Sequence, residues 1–426
     1  MPLKIALSTY SMYGAWFVGR LMSEGHSVTT FLSMPEYSNI LGGIIPKPKL
    51  VSNKKESWPD YGKYDLSIFD LTGRNKQSEF SAMRCPTVGD GDFNCAAEDD
   101  RLFGLQIMEE CGVQVPPYMS FTDTGAAKAW IKEGGKRYVY KPNGGQDQDT
   151  ETTYVSENAG DMLANIDKLF TKTKGAPFIL QEFVSGTEVS IEGWFNGEEF
   201  YLLNCTLEEK KFMNGGKGPN TGCAGNLIFH FGNSEPRVYK EGLARMKPFL
   251  KQIGYTGMID LNTIATPTGL YGLEWTPRFG YDASAALLQL YGGDFGEMLQ
   301  RTCLGQRPDI SWRAEFSAGV RLSIPPYPSE IKGKHPGGIS ISGIEKEDYD
   351  KTFMYDVELQ KDQLVTAGHS GFICTPMGIG NSISEAFDEC DDRIKRIKLP
   401  NAQYRTDIES KVRQRYYELD RDGWLK

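Results

Sequence analysis

The sequence predicts an α/β protein in three parts: a parallel α/β domain over residues 1–97, a larger mixed unit over 98–318, and a β-rich domain with terminal helices over 319–426. Three observations predict it. Short apolar strands alternate with helically spaced segments at the start, which implies a parallel sheet with crossover connections. Strand pairs joined by tight turns then dominate the middle. From Gly319 the texture changes to short strands with many Gly and Pro, followed by a long amphipathic helix.

Taken in order, Lys4–Ser8 reads as the first strand. Tyr13–Glu24 carries Trp16, Phe17 and Leu21 at helical spacing and stops at Gly25. Ser27–Leu32 and Leu66–Leu71 are further strands, and the first domain closes near Ala97. Glu98–Cys111 reads as a helix, after which VPPY enforces extended backbone. Tyr138–Lys141 and Phe178–Glu182 are strands on either side of a helix, Ala159–Phe170, in a lid of about residues 116–188. Val189–Phe195 and Glu199–Cys205 form a hairpin around Asn196-Gly197, a strong turn dipeptide. Gly257–Ile264 and Leu270–Trp275 form another around Pro267–Gly269. The last long helix is Ile383–Ile397.

Composition narrows the function classes. The chain is 426 residues long with a net charge of −9, which lowers the prior for a nucleic-acid scaffold while leaving a local basic patch open. No apolar run approaches the roughly 20 residues of a membrane span. The N-terminus reads as a strand rather than a leader, so the expected location is the cytoplasm. The eight cysteines show no C-x-x-C spacing and read as reduced, mostly buried thiols. The four histidines have no ligand spacing, and no zinc site is expected.

Four segments carry chemistry. In GMIDLNTIATPTGLYGLEWTPRFGYD, Asp260 and Glu274 sit on adjacent strands of one hairpin, where two carboxylates sharing a face suit Mg²⁺ between ATP phosphates. Arg278 adds a fixed cation; the alternative is a hairpin with ordinary surface charges. In FILQEFVSGTEVS, a strand ends at Glu182, Phe183 and Val184 and offers backbone groups to a base, with Glu188 placed for ribose hydroxyls. In VYKPNGGQDQD, Lys141 ends a strand before a glycine-containing loop suited to phosphate. The glycine-rich KKFMNGGKGPNTGCAG, with Lys210, Lys211 and Lys217, reads either as a mobile anion-binding lid or as a merely floppy loop.

In this order the segments resemble the ATP-grasp superfamily, and within it glycinamide ribonucleotide synthetase, from about Thr87 to Ile408. TVGDGDFNCAAEDDRLFGLQIMEECGV looks like the family's linker helix, LEWTPRFG its metal and phosphate motif, and YRTDI its C-terminal signature. The resemblance implies the ATP-grasp fold, with Arg101 and Lys141 on phosphates, Glu182, Phe183 and Val184 at adenine, and Glu188 at ribose. Asn220, Thr221 and Gly222 fall in its substrate loop, and Lys210 with Arg278 in its catalytic set. Glu274 matches a metal ligand and Thr276 stands at the position of another, with Asp260 supplying a further carboxylate for Mg²⁺, or for Mn²⁺ in its place.

Departures cluster away from ATP. The family's metal-binding asparagine is Thr276, the phosphate loop reads NGGQDQDTE, and the N-terminal glycine-rich stretch is STYSMYG. RFGYDA moves the acid associated with glycine recognition to Asp282. The resemblance therefore implies an ATP-dependent carboxylate–amine ligase working through an acyl phosphate. Its expected carboxylate is a small amino acid such as glycine, and its expected acceptor a non-standard amine; a nucleic-acid acceptor is left open. That amine is expected between the Ser8–Gly14 loop, the 214–225 loop and the C-terminal domain, on an aromatic wall suited to a flat group. The alternatives are a genuine phosphoribosylamine–glycine ligase and a catalytically weak ATP-binding regulatory protein.

Overall fold

The computed structural model describes residues 1–52, 57–70, 81–82, 84–89, 92–143, 153–329 and 335–426. Its first sheet is wholly parallel, formed by β1 (Lys4–Thr9), β2 (Ser27–Leu32), β3 (Lys49–Leu50), β4 (Leu66–Phe69) and β5 (Thr87–Val88) in the order β3-β2-β1-β4-β5. Its central strands β1 and β4 are buried at every position but Lys4, as a sheet covered on both faces requires. The ends of β1 and β4 converge where Asp70 accepts from Thr9 Oγ1 (2.6 Å) and from the Gly14 amide (2.7 Å). Burial pushes the Asp70 carboxyl up to about 6. No helix among the described residues is long and apolar enough to cross a membrane.

The expected helix over 98–111 is two helices, Asp92–Asp99 and Arg101–Glu110. Asp100 separates them, because its side chain accepts the Leu102 and Phe103 amides as an N-cap. A four-stranded sheet follows, built from β6 (Tyr118–Phe121), β7 (Tyr138–Pro142), β8 (Tyr154–Val155) and β9 (Phe178–Glu182) in the order β6-β9-β7-β8. Helices Thr124–Gly134 and Ala159–Lys172, capped by Asp123 and Asn158, cover one face. Ile131, Tyr138, Tyr140, Ile166 and Phe178 give this unit a core of its own.

The main sheet has nine strands. It contains β10 (Thr187–Phe195), β11 (Phe200–Met213), β12 (Lys217–His230), β13 (Gly257–Thr266), β14 (Gly269–Thr276), β15 (Phe316–Val320), β16 (Leu322–Ser323) and β17 (Thr352–Met354). The hairpin β18 (Val357–Gln360) and β19 (Gln363–Thr366) stands apart, and β20 (Phe372–Gly380) completes the sheet. The strand order is β14-β13-β10-β11-β12-β15-β20-β16, with β17 also on β20. β15 spans the boundary expected at 318/319, so the sheet runs unbroken across it.

The glycine-rich segment expected as a loop is the end of β11 and the start of β12, with only 214–216 as a turn. Two bulges in that ladder explain the misreading, since irregular pairing there breaks the strand alternation. Its tip is clamped by the YRTDI segment. Gly215 donates to Asp407 (2.8 Å), Asn214 and Thr406 bond reciprocally, and Arg405 donates to the Lys211 carbonyl (2.9 Å).

Candidate functional site

A cleft of about 400 Å³ opens between the four-stranded sheet and the main sheet. One wall comes from Val139, Lys141, Gln181 and the strand end Glu182-Phe183-Val184. The Glu182 amide is spent on Pro117 O (2.8 Å) and the Phe183 amide on Arg137 O (2.9 Å). Val184 is therefore the hinge position whose N–H the described backbone does not use. The Glu182 carboxylate is held by Lys136 (2.7 Å) and the Phe183 ring lies under the Arg137 guanidinium (3.6 Å). Ile264 and Leu273 supply apolar floor.

The opposite end is charged. Lys141 is buried on β7, and burial lowers its pKa to about 8. Arg101 begins its helix beside this end and meets Glu274 at 2.7 Å. Burial alone would raise the Glu274 carboxyl, but Arg101, Lys141 and Lys210 outweigh it and hold it down to about 2. Lys210 pairs with Glu188 at 2.9 Å, and that carboxylate keeps the lysine well protonated. Glu188 is lowered in turn, by Lys210 first.

The hairpin β13–β14 aligns Asp260 with Thr276 and Asn262 with Glu274. All four share one face, since alternate residues point the same way. Asn262, and not Asp260, lines the cleft beside Glu274. Asp260 lies deeper, across from Glu192 on β10, where burial and then Glu192 and Glu208 raise its carboxyl well above the usual range. Its Oδ1 has no hydrogen-bond partner among the described residues. An oxygen-only set with one orphaned buried carboxylate oxygen fits a hard divalent cation.

Of the residues singled out in the sequence, Arg101, Lys141, Glu182, Phe183, Val184, Glu188, Lys210, Asn220 and Glu274 line this one cleft. Arg278 lies outside its lining, gripped by Glu98 through Nε (2.8 Å) and Nη2 (2.7 Å). Thr221 and Gly222 lie on the far side of the hairpin toward Arg321, and the Thr221 hydroxyl donates to the Lys210 carbonyl. Asp282 is buried, its Oδ2 taken by Arg321 Nη2 (2.8 Å) and Nε (3.2 Å) and by Thr375. Of the phosphate loop expected over 143–151, all but Asn143 lies outside the described residues.

Sequence reasoning missed Asn262, Glu208, Glu209 and Arg415 in the cleft, and Arg321 behind it. Asn262 was open to discovery, being one strand repeat beyond Asp260. Arg415 was not, because it reaches Glu209 (2.9 Å) from a helix distant in sequence. The aromatic wall expected near Ser8–Gly14 is already partnered on one side: Tyr13 stacks on Tyr355 at 4.2 Å and 8°. The Tyr355 hydroxyl donates to the Ser11 carbonyl (3.1 Å).

Comparison with known proteins agrees with this layout. Residues 99–283 match the family model of the phosphoribosylglycinamide synthetase ATP-grasp (A) domain. The phosphoribosylamine–glycine ligase of Halalkalibacterium halodurans is 25% identical over 326 residues, covering 74% of each chain. The trifunctional purine biosynthetic protein adenosine-3 of Drosophila melanogaster is 28% identical over 77% of this chain and 25% of that longer protein. Among solved structures, phosphoribosylamine–glycine ligase from Thermotoga maritima superposes with a TM-score of 0.75 at 18% identity, over 95% of this chain and 99% of that one. A biotin carboxylase domain from Hydrogenobacter thermophilus, solved with magnesium ADP and bicarbonate, gives 0.62 at 14% identity, over 99% and 96%.

Proposed function

From the premise that this chain is a divergent member of the ATP-grasp superfamily, an enzyme resembling glycinamide ribonucleotide synthetase, we propose that it activates a small amino acid such as glycine and passes it to an amine. The observation that carries this reading is the meeting of an apolar hinge wall with Arg101, Lys141, Lys210 and Glu274 in one cleft. Adenine lies on the wall, with the Val184 amide as its hydrogen-bond donor. Ribose hydroxyls meet Glu188. Lys141, Lys210 and Arg101 neutralise the phosphates, which suits phosphoryl transfer because that step depends mainly on positioning and charge. Asp260, Glu274 and Thr276, with Asn262 beside them, would hold Mg²⁺, which would supply further charge neutralisation. The substrate carboxylate attacks the γ-phosphate, and an amine then displaces phosphate.

The acceptor we favour is an amine other than phosphoribosylamine, because STYSMYG, with Met12 and Tyr13 packed inward, replaces the family's glycine-rich stretch. The curated relatives named phosphoribosylamine–glycine ligase support that amine as the second reading. The deciding assay supplies ATP, Mg²⁺ and glycine with phosphoribosylamine, ammonium or a panel of primary amines, and measures ADP and amide. Efficient glycinamide ribonucleotide formation selects the second reading. ATP binding without turnover under every combination would select a regulatory role instead.

Two expected results follow from the charged end. Glu274→Gln removes a metal-ligand charge, so Mg·ATP affinity should fall tenfold or more, about 1.4 kcal/mol or above. Unchanged affinity in calorimetric titration overturns the metal assignment. Lys141 predicts a pH dependence. Its pKa is lowered to about 8, so above that pH the free enzyme holds it neutral and must take up a proton to meet phosphate. Affinity should therefore fall by up to about tenfold per pH unit above 8, and Lys141→Gln should remove that slope. A slope that survives the substitution assigns it elsewhere.

A further inference from the structure

We propose that Glu208 is the base that takes the proton from the attacking amine, an assignment that rests on the ligase reading above. Among the described residues five acidic side chains line the cleft, and four are tied down. Glu182 is held by Lys136, Glu188 by Lys210, Glu274 by Arg101, and Glu209 by both Arg405 (3.0 Å) and Arg415 (2.9 Å). The Glu208 carboxylate accepts no hydrogen bond from any described residue; only its backbone carbonyl is used, by Arg415. A carboxylate locked to a guanidinium is a poor proton acceptor, whereas an untied one in a cleft is available.

Position supports the same role. Glu208 stands on β11 two residues before Lys210 and directly across from Asn226 on β12. Lys210 on β11, Cys223 on β12 and Asp282 on the helix Tyr281–Leu290 all lie within reach of its charge. It thus faces the region between the phosphates and the wall formed by the β12 bulge and Arg321. Lys210 cannot serve instead, because Glu188 keeps it protonated. Burial raises the Glu208 carboxyl to about 7, against Lys210 and with help from Glu192, Asp282 and Glu188. A base titrating near the working pH takes and releases protons with least penalty.

The step balances. The amine arrives as an ammonium with three N–H bonds. Glu208 takes one proton, the freed lone pair forms the C–N bond, and the carbon–oxygen bond to phosphate breaks with its electrons going to the phosphate oxygen. A second proton leaves with phosphate as the monohydrogen ion, and the amide keeps the third. Glu208 then returns its proton to solvent through the open cleft.

The test compares two nucleophiles in the full-length enzyme with ATP, Mg²⁺ and glycine. Hydroxylamine is already neutral at pH 7 and needs no base, so it traps the acyl phosphate as a hydroxamate. The productive amine from the panel above does need one. Glu208→Gln should lower amide formation at least tenfold while hydroxamate formation stays within about twofold, which also shows that the variant is folded. Glu208→Asp should restore part of the amide rate. In the wild type, the amide rate should fall as pH drops through about 7 and the hydroxamate rate should not; Lys210, Glu188, Glu192, Asp260, Cys223 and Asp282 are the titratable groups facing this carboxyl. Equal loss with both nucleophiles, or no loss with either, overturns the assignment while leaving the ligase reading intact. Wild-type enzyme that makes no hydroxamate, or hydroxamate but no amide, fails the ligase reading and this inference with it.

Discussion

Replacing Arg278 by lysine should lower turnover by about one to three orders of magnitude while ATP affinity changes little. The guanidinium is held in a fixed plane by Glu98, which bonds both Nε and Nη2, and its Nη1 donates to the Phe279 carbonyl. It lies close enough to Asp70, at the carboxyl edge of the first sheet, to temper the rise that burial imposes on that acid. Arg278 therefore stands between the cleft and the parallel sheet, and on the proposed ligase reading it would grip the acyl phosphate as the amine arrives. Lysine keeps the charge but loses the planar fork, so it cannot satisfy Glu98 and grip two phosphate oxygens together. Steady-state kinetics with an ATP-binding titration separates the two effects. Wild-type turnover in the lysine variant would remove Arg278 from the reaction.

Replacing Arg321 by alanine should cost about 3–5 kcal/mol of stability, because it leaves the Asp282 carboxylate buried without its countercharge. The pair is shielded, with side chains 10% and 1% exposed. Arg321 also bonds the Tyr327 hydroxyl (2.8 Å) and lies over the Phe372 ring at 4.0 Å, so packing is lost as well. Combining Arg321→Met with Asp282→Leu should recover much of the loss, since both buried charges are then gone. Urea denaturation reads both. A single variant within about 1 kcal/mol of wild type would mean that water reaches Asp282 freely.

Local chemistry decided which parts of this molecule were legible beforehand. β2 and β9 were predicted to the residue, because apolar runs bounded by turn residues leave few options. The hinge, Lys141 and Glu274 were legible because each sits at a strand end with neighbours close in sequence. The break at Asp100 was not, since an aspartate inside a helical pattern reads equally as a surface charge. The β11–β12 hairpin was hidden by its glycines and bulges. Asp282 shows the limit most clearly: motif alignment proposed a substrate acid, while its partner Arg321 comes from the junction of β15 and β16, 39 residues further along. Pairings formed across the tertiary fold leave no local trace.

The clamp of the YRTDI segment on the β11–β12 tip bears on how this enzyme is made. Arg405 and Arg415 reach Lys211, Glu208 and Glu209 across 194 to 207 residues of sequence. Both arginines touch strands whose other residues build the nucleotide cleft. On the ribosome, β11 and β12 emerge long before residue 405 is translated, so the nascent chain carries a hairpin with its carboxylates not yet neutralised. The lid, with a core of its own, can settle early. Nucleotide competence is therefore gained late in synthesis, and a chain stalled before Arg405 should fold its lid yet fail to retain ATP.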